Sequence, residues 1–327
     1  MIKFLVALSV SIKIPENQHA IKYVSGYYSL TDKRKITPDT LFQIGSITKT
    51  VTATIILKLA EENKLNLDDK LLKWLPQFSR WKNITVNDLL RHTSGIEDYT
   101  HGNQFDQMLR QNPEQFFSLS TLANLAYHKK DFATPGEKYH YTNTDYILLG
   151  MIIKKVTHQS LQQVFDDYIA RYHLNNTFYT PIGYPISIIQ KIAHGYNRDG
   201  TFRFNKDVTQ VSLSFAQSAG ALISTPNDLV DWLQQLFSGK ILSDHSLKTM
   251  LKITPVEDGE GAGIGLFNFK NMGPTWVHAG GTPGYESFYA YNPQHKIYLA
   301  LMYNVKPKQQ LIFIKIADDI FNAVSIR

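Results

Sequence analysis

The sequence predicts a mixed α/β fold. An antiparallel sheet is built from both chain termini and flanked by helices, with an all-helical lobe inserted between them. Three observations carry this expectation. From Leu8 the chain alternates, Leu8, Val10, Ile12 and Ile14 against Ser9, Ser11 and Lys13, the period-two pattern of a half-buried strand. The middle holds helical segments that are apolar almost all round and free of Gly and Pro near their start, the mark of buried helices. The C-terminal part returns to short apolar runs separated by Pro283-Gly284 and Asn292-Pro293, which are turn signals.

Taken in order, two strands are expected over roughly 4–14 and 19–29, joined by a turn at Pro15-Glu16-Asn17. Met1 to Leu8 resembles a weak signal peptide, but it lacks a small-residue cleavage site, and the strand reading is preferred. A first helix starts near Ser46 and runs to about Asn63. Its Val51, Ala53, Ile55, Ile56, Leu57, Leu59 and Ala60 are apolar, and Thr48, Thr50, Thr52 and Thr54 are small enough for close packing. A second buried helix follows Thr142-Asn143-Thr144 and carries Tyr146, Ile147, Leu148, Leu149, Ile152, Ile153 and Val156. A third follows Thr225-Pro226-Asn227-Asp228, where a cap, a proline at the first helical position and an acid three residues on give a start signal. Strands near 275–280, 285–291 and 296–303 and an amphipathic helix over about 308–325 close the chain. The expected organisation is one domain with a sheet lobe (about 1–40 and 262–327) and a mainly helical lobe (about 41–261), with a ligand cleft where they meet.

Composition narrows the function. With 43% hydrophobic and 19% charged residues over 327 positions, the chain has material for a sizeable core. The absence of cysteine excludes disulfides and thiolate metal sites. No apolar run approaches the ~20 residues that span a bilayer, so no stable membrane insertion is expected. The net charge of +6 is spread thinly. Its densest patch, Lys33-Arg34-Lys35, has no interleaved aromatic stripe, which argues against nucleic acid as a partner.

Chemistry enters at Ser46-Ile47-Thr48-Lys49. On a helix, residues three apart are neighbours, so the Lys49 amine can reach the Ser46 hydroxyl. A serine attacks only when a nearby base takes its proton. An amine in an apolar wall, near the positive end of a helix dipole, is pushed toward the neutral form that can do so. Ser79-Arg80-Trp81-Lys82 has the same spacing, but it follows Pro76 without a helical apolar period and reads as loop. Tyr141-Thr142-Asn143 is the only Y-x-N in the chain, and His278-Ala279-Gly280 the only H-x-G.

These three segments, in this order, resemble the serine β-lactamase and penicillin-binding protein family. Tyr141-x-Asn143 is similar to the motif of the class C branch. His278-x-Gly280 is similar to that of the Streptomyces-type D-Ala-D-Ala carboxypeptidase and related esterases. Further matching stretches are Thr37 through Phe42, Leu89 through Gly95, Tyr141 through Gly150, Ser218-Ala219-Gly220 with Ser224-Thr225-Pro226, and His278 through Phe288. The resemblance runs from about residue 5 to the C-terminus.

It implies the β-lactamase/transpeptidase-like fold and a covalent acyl-enzyme route without cofactor or metal. Ser46 is the implied nucleophile, and a Tyr141–Lys49 pair takes its proton. Asn143 is implied to bind the substrate amide and Lys49. The backbone N–H groups of Ser46 and Gly281 are the implied oxyanion donors, with Gly280 and His278 lining the substrate site. Where lysine would offer a permanent cation for a substrate carboxylate, His278, with an ordinary pKa near 6.5, is expected to be charged part of the time. That favours peptidase or esterase chemistry over efficient β-lactam hydrolysis. The expected partner is a small-molecule or peptidoglycan-peptide substrate: a D-Ala-D-Ala peptide, a β-lactam or an ester. The alternatives are a carboxylesterase and a catalytically idle cell-wall-binding relative. By the same resemblance the protein is expected to be periplasmic or secreted, with the export signal absent from this sequence.

Two motifs are decoys. Glu62-Asn63-Lys64-Leu65-Asn66 imitates a deacylation motif, but Glu62 falls roughly 24 Å beyond Ser46 along the same helix. His92-Thr93-Ser94-Gly95 imitates a Ser–His pair, but residues so close on a turn do not face each other, and a structural role is expected. No G-x-S-x-G elbow and no H-E-x-x-H spacing exist, against an α/β-hydrolase or a zinc hydrolase.

Overall fold

The structure is a computed structural model that describes residues 7–15, 17, 19–197, 206–256, 260–269, 272, 274–305 and 312–325. The start of the expected first strand and of the last helix lie outside the described residues. In chain order the first strands are β1 (Ala7–Lys13), β2 (Ile21–Gly26), β3 (Phe42–Gln43), β4 (Phe178–Tyr179) and β5 (Leu222–Ser224). They are followed by β6 (Thr254–Pro255), β7 (Gly261–Ala262), β8 (Phe267–Asn268), β9 (Trp276–Thr282), β10 (Tyr285–Asn292) and β11 (Ile297–Tyr303).

Eight of them form one antiparallel sheet in the order β2-β1-β11-β10-β9-β8-β7-β6. The termini meet at β1–β11, where Val10 stands opposite Leu301. Strand β11 is buried on both faces, and the period of two divides its side chains between two cores. Leu299, Leu301 and Tyr303 join Phe288, Val277 and the Ala317 and Phe321 side chains of the terminal helix Ile312–Ser325. Tyr298, Ala300 and Met302 join the larger core toward the rest of the chain. Burial of a side chain such as Phe288 or Leu301 contributes about 2 kcal/mol. The helix Pro226–Phe237 packs on β1 and β11. It starts where the sequence signal lies: Thr225 caps Asp228 N and Pro226 occupies the first turn.

The intervening region is mainly helical, but it also holds a small sheet in the order β3-β5-β4. These strands of two or three residues are too short to give a periodic signal in the sequence. The helix Thr48–Glu61 runs through the core with its residues Thr48 to Leu57 all buried. Its threonine hydroxyls are satisfied inside the core: Thr50 Oγ1 donates to Gly265 O, Thr52 Oγ1 to Ser218 O and Thr54 Oγ1 to Thr50 O. Ser79–Trp81 forms one 3-10 turn that buries Trp81, so the second S-x-x-K match is structural. Glu62 caps the far end of the helix Thr48–Glu61 and pairs with Lys64.

Candidate active site

Ser46 lies in a single 3-10 turn, Gly45–Ile47, that leads directly into the helix Thr48–Glu61. The turn needs Gly45, which holds φ at +48°, a value that side-chain-bearing residues rarely adopt. It is also pressed against β9. A Cβ on Gly45 would stand 2.7 Å from Gly281 N, and one on Gly280 would stand 1.9 Å from Ile44 O. Ser287 on β10 ties the same junction, its Oγ donating to Ile44 O at 2.8 Å with Gly280 O 3.2 Å away. Two glycines thus let the Ser46 turn and the Gly280-Gly281 segment touch backbone to backbone. In this way the turn and the H-x-G strand become neighbours.

Lys49 is fully buried, not solvated. Its Nζ lies 2.9 Å from Ser46 Oγ, 2.8 Å from Asn143 Oδ1 and 3.0 Å from Ala219 O. Burial lowers its pKa from 10.5 to about 7, with the charge of Asp98 opposing that fall. Two of its three partners, an amide oxygen and a carbonyl, can only accept hydrogen bonds. A neutral amine has two N–H groups for them, and its one lone pair then faces the Ser46 hydroxyl.

Tyr141 precedes the helix Asn143–Thr157 and hydrogen-bonds Ser46. Its ring stands 5.0 Å from Lys49 Nζ. Burial pushes the phenol above its ordinary value of 10, the Ser46 contact opposing this, so Tyr141 stays protonated in the free protein. Asn143 is held from the other side by Asp98, whose Oδ2 accepts from Asn143 N at 2.8 Å and Nδ2 at 2.9 Å.

His278 is also brought to this cluster, but its expected part-time charge is corrected. It is 2% exposed, and burial, followed by the charge of Lys49, holds its pKa at about 3. Its Nδ1 lies 2.6 Å from Ala279 O, a pure acceptor, so Nδ1 carries the proton and Nε2 the lone pair. Nε2 is buried and has no hydrogen-bond partner among the described residues. The imidazole is therefore a neutral acceptor at neutral pH. The sequence could not reveal this, because the burial that causes it is a tertiary property.

His92 and Ser94 do converge, although not on each other. Ser94 Oγ donates to Asp145 Oδ1 at 2.6 Å, and Asp145 Oδ2 lies 3.3 Å from His92 Nδ1. The left-handed φ of His92 turns its ring in to stand 4.6 Å from that of Tyr141. The motif buttresses the Tyr141-Thr142-Asn143 segment; Ser94 is spent on Asp145. Ala219 and Ser287 lie in stretches already singled out in the sequence, but their contacts at the site, and Asp98 altogether, carried no signal there. Two surface cavities of about 920 and 830 Å³ lie away from this constellation, lined by residues such as Phe116 and Lys154 in one and Arg91 and His245 in the other.

Comparison with known proteins bears on family and fold. The chain is 28% identical over 277 residues to penicillin-binding protein 4* of Bacillus subtilis (strain 168), a match that covers 80% of this chain and 60% of that one. It therefore spans about three-fifths of the length of that curated relative. Among solved structures, a D-stereospecific amidohydrolase from Streptomyces sp. superposes with a TM-score of 0.81 at 26% identity, covering 92% of this chain and 89% of that one. The D-amino acid amidase from Ochrobactrum anthropi SV3, in complex with L-phenylalanine amide, gives 0.80 at 27% identity, with coverages of 92% and 86%. The family profile described as Beta-lactamase matches residues 5–316. Nearly the whole chain is accounted for by that profile and by a fold in which a serine, a buried lysine and a tyrosine meet at one strand: it belongs to the Beta-lactamase family of serine hydrolases.

Proposed function

We propose that the chain is a serine acyl hydrolase whose Ser46 forms an acyl-enzyme with amides or esters of D-amino acids that present an uncharged leaving side. The observation that carries the reading is the set of three contacts at Lys49 Nζ. With its N–H groups committed to Asn143 and Ala219, neutral Lys49 accepts the Ser46 proton as Oγ forms a bond to the substrate carbonyl carbon. The carbonyl oxygen becomes an oxyanion stabilised by the backbone N–H groups of Ser46 and Gly281. Collapse expels the amine or alcohol, which takes a proton from the Tyr141 hydroxyl; Lys49 ammonium returns a proton to Tyr141. Water then attacks the acyl carbon, gives its proton to neutral Lys49, and Ser46 leaves with that proton.

The neutral His278 bears on substrate class. A neutral imidazole offers a substrate carboxylate no counter-charge, whereas an amide or an ester group needs none. This moves the preference from a D-Ala-D-Ala carboxylate and from penicillins toward D-amino-acid amides, esters and amidated D-peptides. Support for the D-configuration comes from the two amidohydrolase folds that this chain resembles.

The test is kcat/KM for D-phenylalanine amide, L-phenylalanine amide, a p-nitrophenyl ester, a D-Ala-D-Ala peptide and its C-terminal amide. The D-amide and the ester should turn over, and the amidated peptide should exceed the free acid by about tenfold or more, the scale of a single hydrogen bond. A free acid that is hydrolysed faster than its amide would contradict the substrate class. No turnover or adduct with any member would leave the wall-binding alternative.

A further inference from the structure

We propose that Asp98 is a positioning residue for the acylation step: it locks the Asn143 amide with its oxygen toward Lys49 and sets a negative charge near that amine. The proposal rests on the acyl-transfer reading above and deepens it. Asp98 is buried, and its carboxylate accepts four hydrogen bonds. Oδ2 takes Asn143 N and Nδ2, while Oδ1 takes Thr100 N and Thr100 Oγ1, both at 2.8 Å. An ionised carboxylate is acceptor-only, so Asn143 must present its Nδ2 to Asp98 and its Oδ1 to Lys49. A flipped amide would set an oxygen against a carboxylate and N–H groups against an amine. Carboxylate, amide and amine thus form one directed chain across segments far apart in sequence.

Among the described residues, the ionisable groups Tyr141, Tyr146, His92 and His278 also face Lys49. Burial holds the two phenols protonated and the two imidazoles neutral. Asp145, farther back against His92, is likewise pushed well above the usual carboxylate range by burial. Asp98 is left as the charge that opposes the desolvation of Lys49. It therefore sets how close to neutral pH the amine titrates, and with it the fraction available as base.

The experiment replaces Asp98 by Asn and by Glu and reads two quantities. The first is the ionisation midpoint of Lys49, followed by NMR on protein carrying 13Cε-lysine, with the signal assigned by its loss in Lys49→Ala. This readout needs no substrate, so it stands even if the proposed reaction is wrong. The second is the acid limb of kcat/KM against pH for a p-nitrophenyl ester. In Asp98→Asn the single oxygen can serve Asn143 or Thr100 but not both, and the charge is gone. Both midpoints should fall by at least about half a pH unit, and kcat should fall at every pH while KM changes little. Asp98→Glu keeps the charge on a longer stem, so its midpoints should stay at the wild-type value while kcat drops. Unmoved midpoints in folded Asp98→Asn, or midpoints that move equally in Asp98→Glu, would overturn the proposal. Should Asp98→Asn fail to fold, Asp98→Glu decides alone: an unchanged kcat there means that Asp98 positions nothing. A wild type without esterase activity but with a Lys49 midpoint that moves in Asp98→Asn would refute the reaction and keep the Asp98 coupling.

Discussion

Replacing Gly280 by alanine perturbs the junction between the Ser46 turn and β9 at its tightest point. The new Cβ would lie 1.9 Å from Ile44 O and 2.7 Å from Ser287 Oγ. Both are held, since Ser287 donates to that same Ile44 oxygen and Ile44 N bonds Leu222 O on the neighbouring small sheet. A contact of about 3 Å is the least a Cβ tolerates, so turn and strand must part by roughly 1 Å. Such a displacement between the nucleophile and the strand that carries the second oxyanion donor should cost about a hundredfold in acylation rate. The overpacking itself should cost about 1–3 kcal/mol, a Tm drop of a few degrees. Gly281→Ala is the contrast, because its Cβ would meet only the Glu286 side chain, at 3.2 Å. Stopped-flow acylation by a p-nitrophenyl ester, with Tm measured on the same preparations, separates the two effects. Gly280→Ala acylating within about threefold of wild type would refute the claim that the backbone contact sets the geometry.

Lys49→Ala and Tyr141→Phe should each lower acylation steeply, and the double variant should be hardly worse than the poorer single one, because both serve one proton path through Ser46; losses that multiply would refute the shared path. Folded Lys49 titrates near pH 7 and the unfolded chain near 10.5, so the unfolded state binds more protons between these values and stability should rise with pH across that window. Denaturant melts should show this rise in the wild type and its loss in Lys49→Met; equal slopes would mean that Lys49 is charged in the fold. Carboxylate-bearing and neutral substrates should share one pH profile from about pH 8 down to about pH 5, since His278 stays neutral until near pH 3. A selective gain for the carboxylate substrate on acidification would show that the imidazole ionises in that range.

What is legible in the sequence follows from what is local. The Ser46–Lys49 spacing is an i, i+3 relation that any helix fulfils, and the apolar run behind it predicts the burial that depresses Lys49. The strands that close the sheet are long enough to alternate, and their turns carry Pro-Gly and Asn-Pro. What is not legible depends on convergence. Asp98 follows a turn with nothing to mark it, and only the fold sets its carboxylate under Asn143. The Ala219 acceptor is a backbone atom and has no residue type to read. His278 can be located from its motif, but its charge state depends on the packing around β9. The structural role expected of His92 and Ser94 is the one they fill, while their shared partner, Asp145, lies some fifty residues away in the chain and leaves no trace in the local pattern.

If Ser46 is the acylated nucleophile, intact-protein mass spectrometry after exposure to an activated D-amino-acid ester will reveal it. The wild type should carry a single acyl adduct, mapped by peptide digestion to Ser46 and absent from Ser46→Ala. An adduct that persists in Ser46→Ala, or that maps to Ser94, would contradict it.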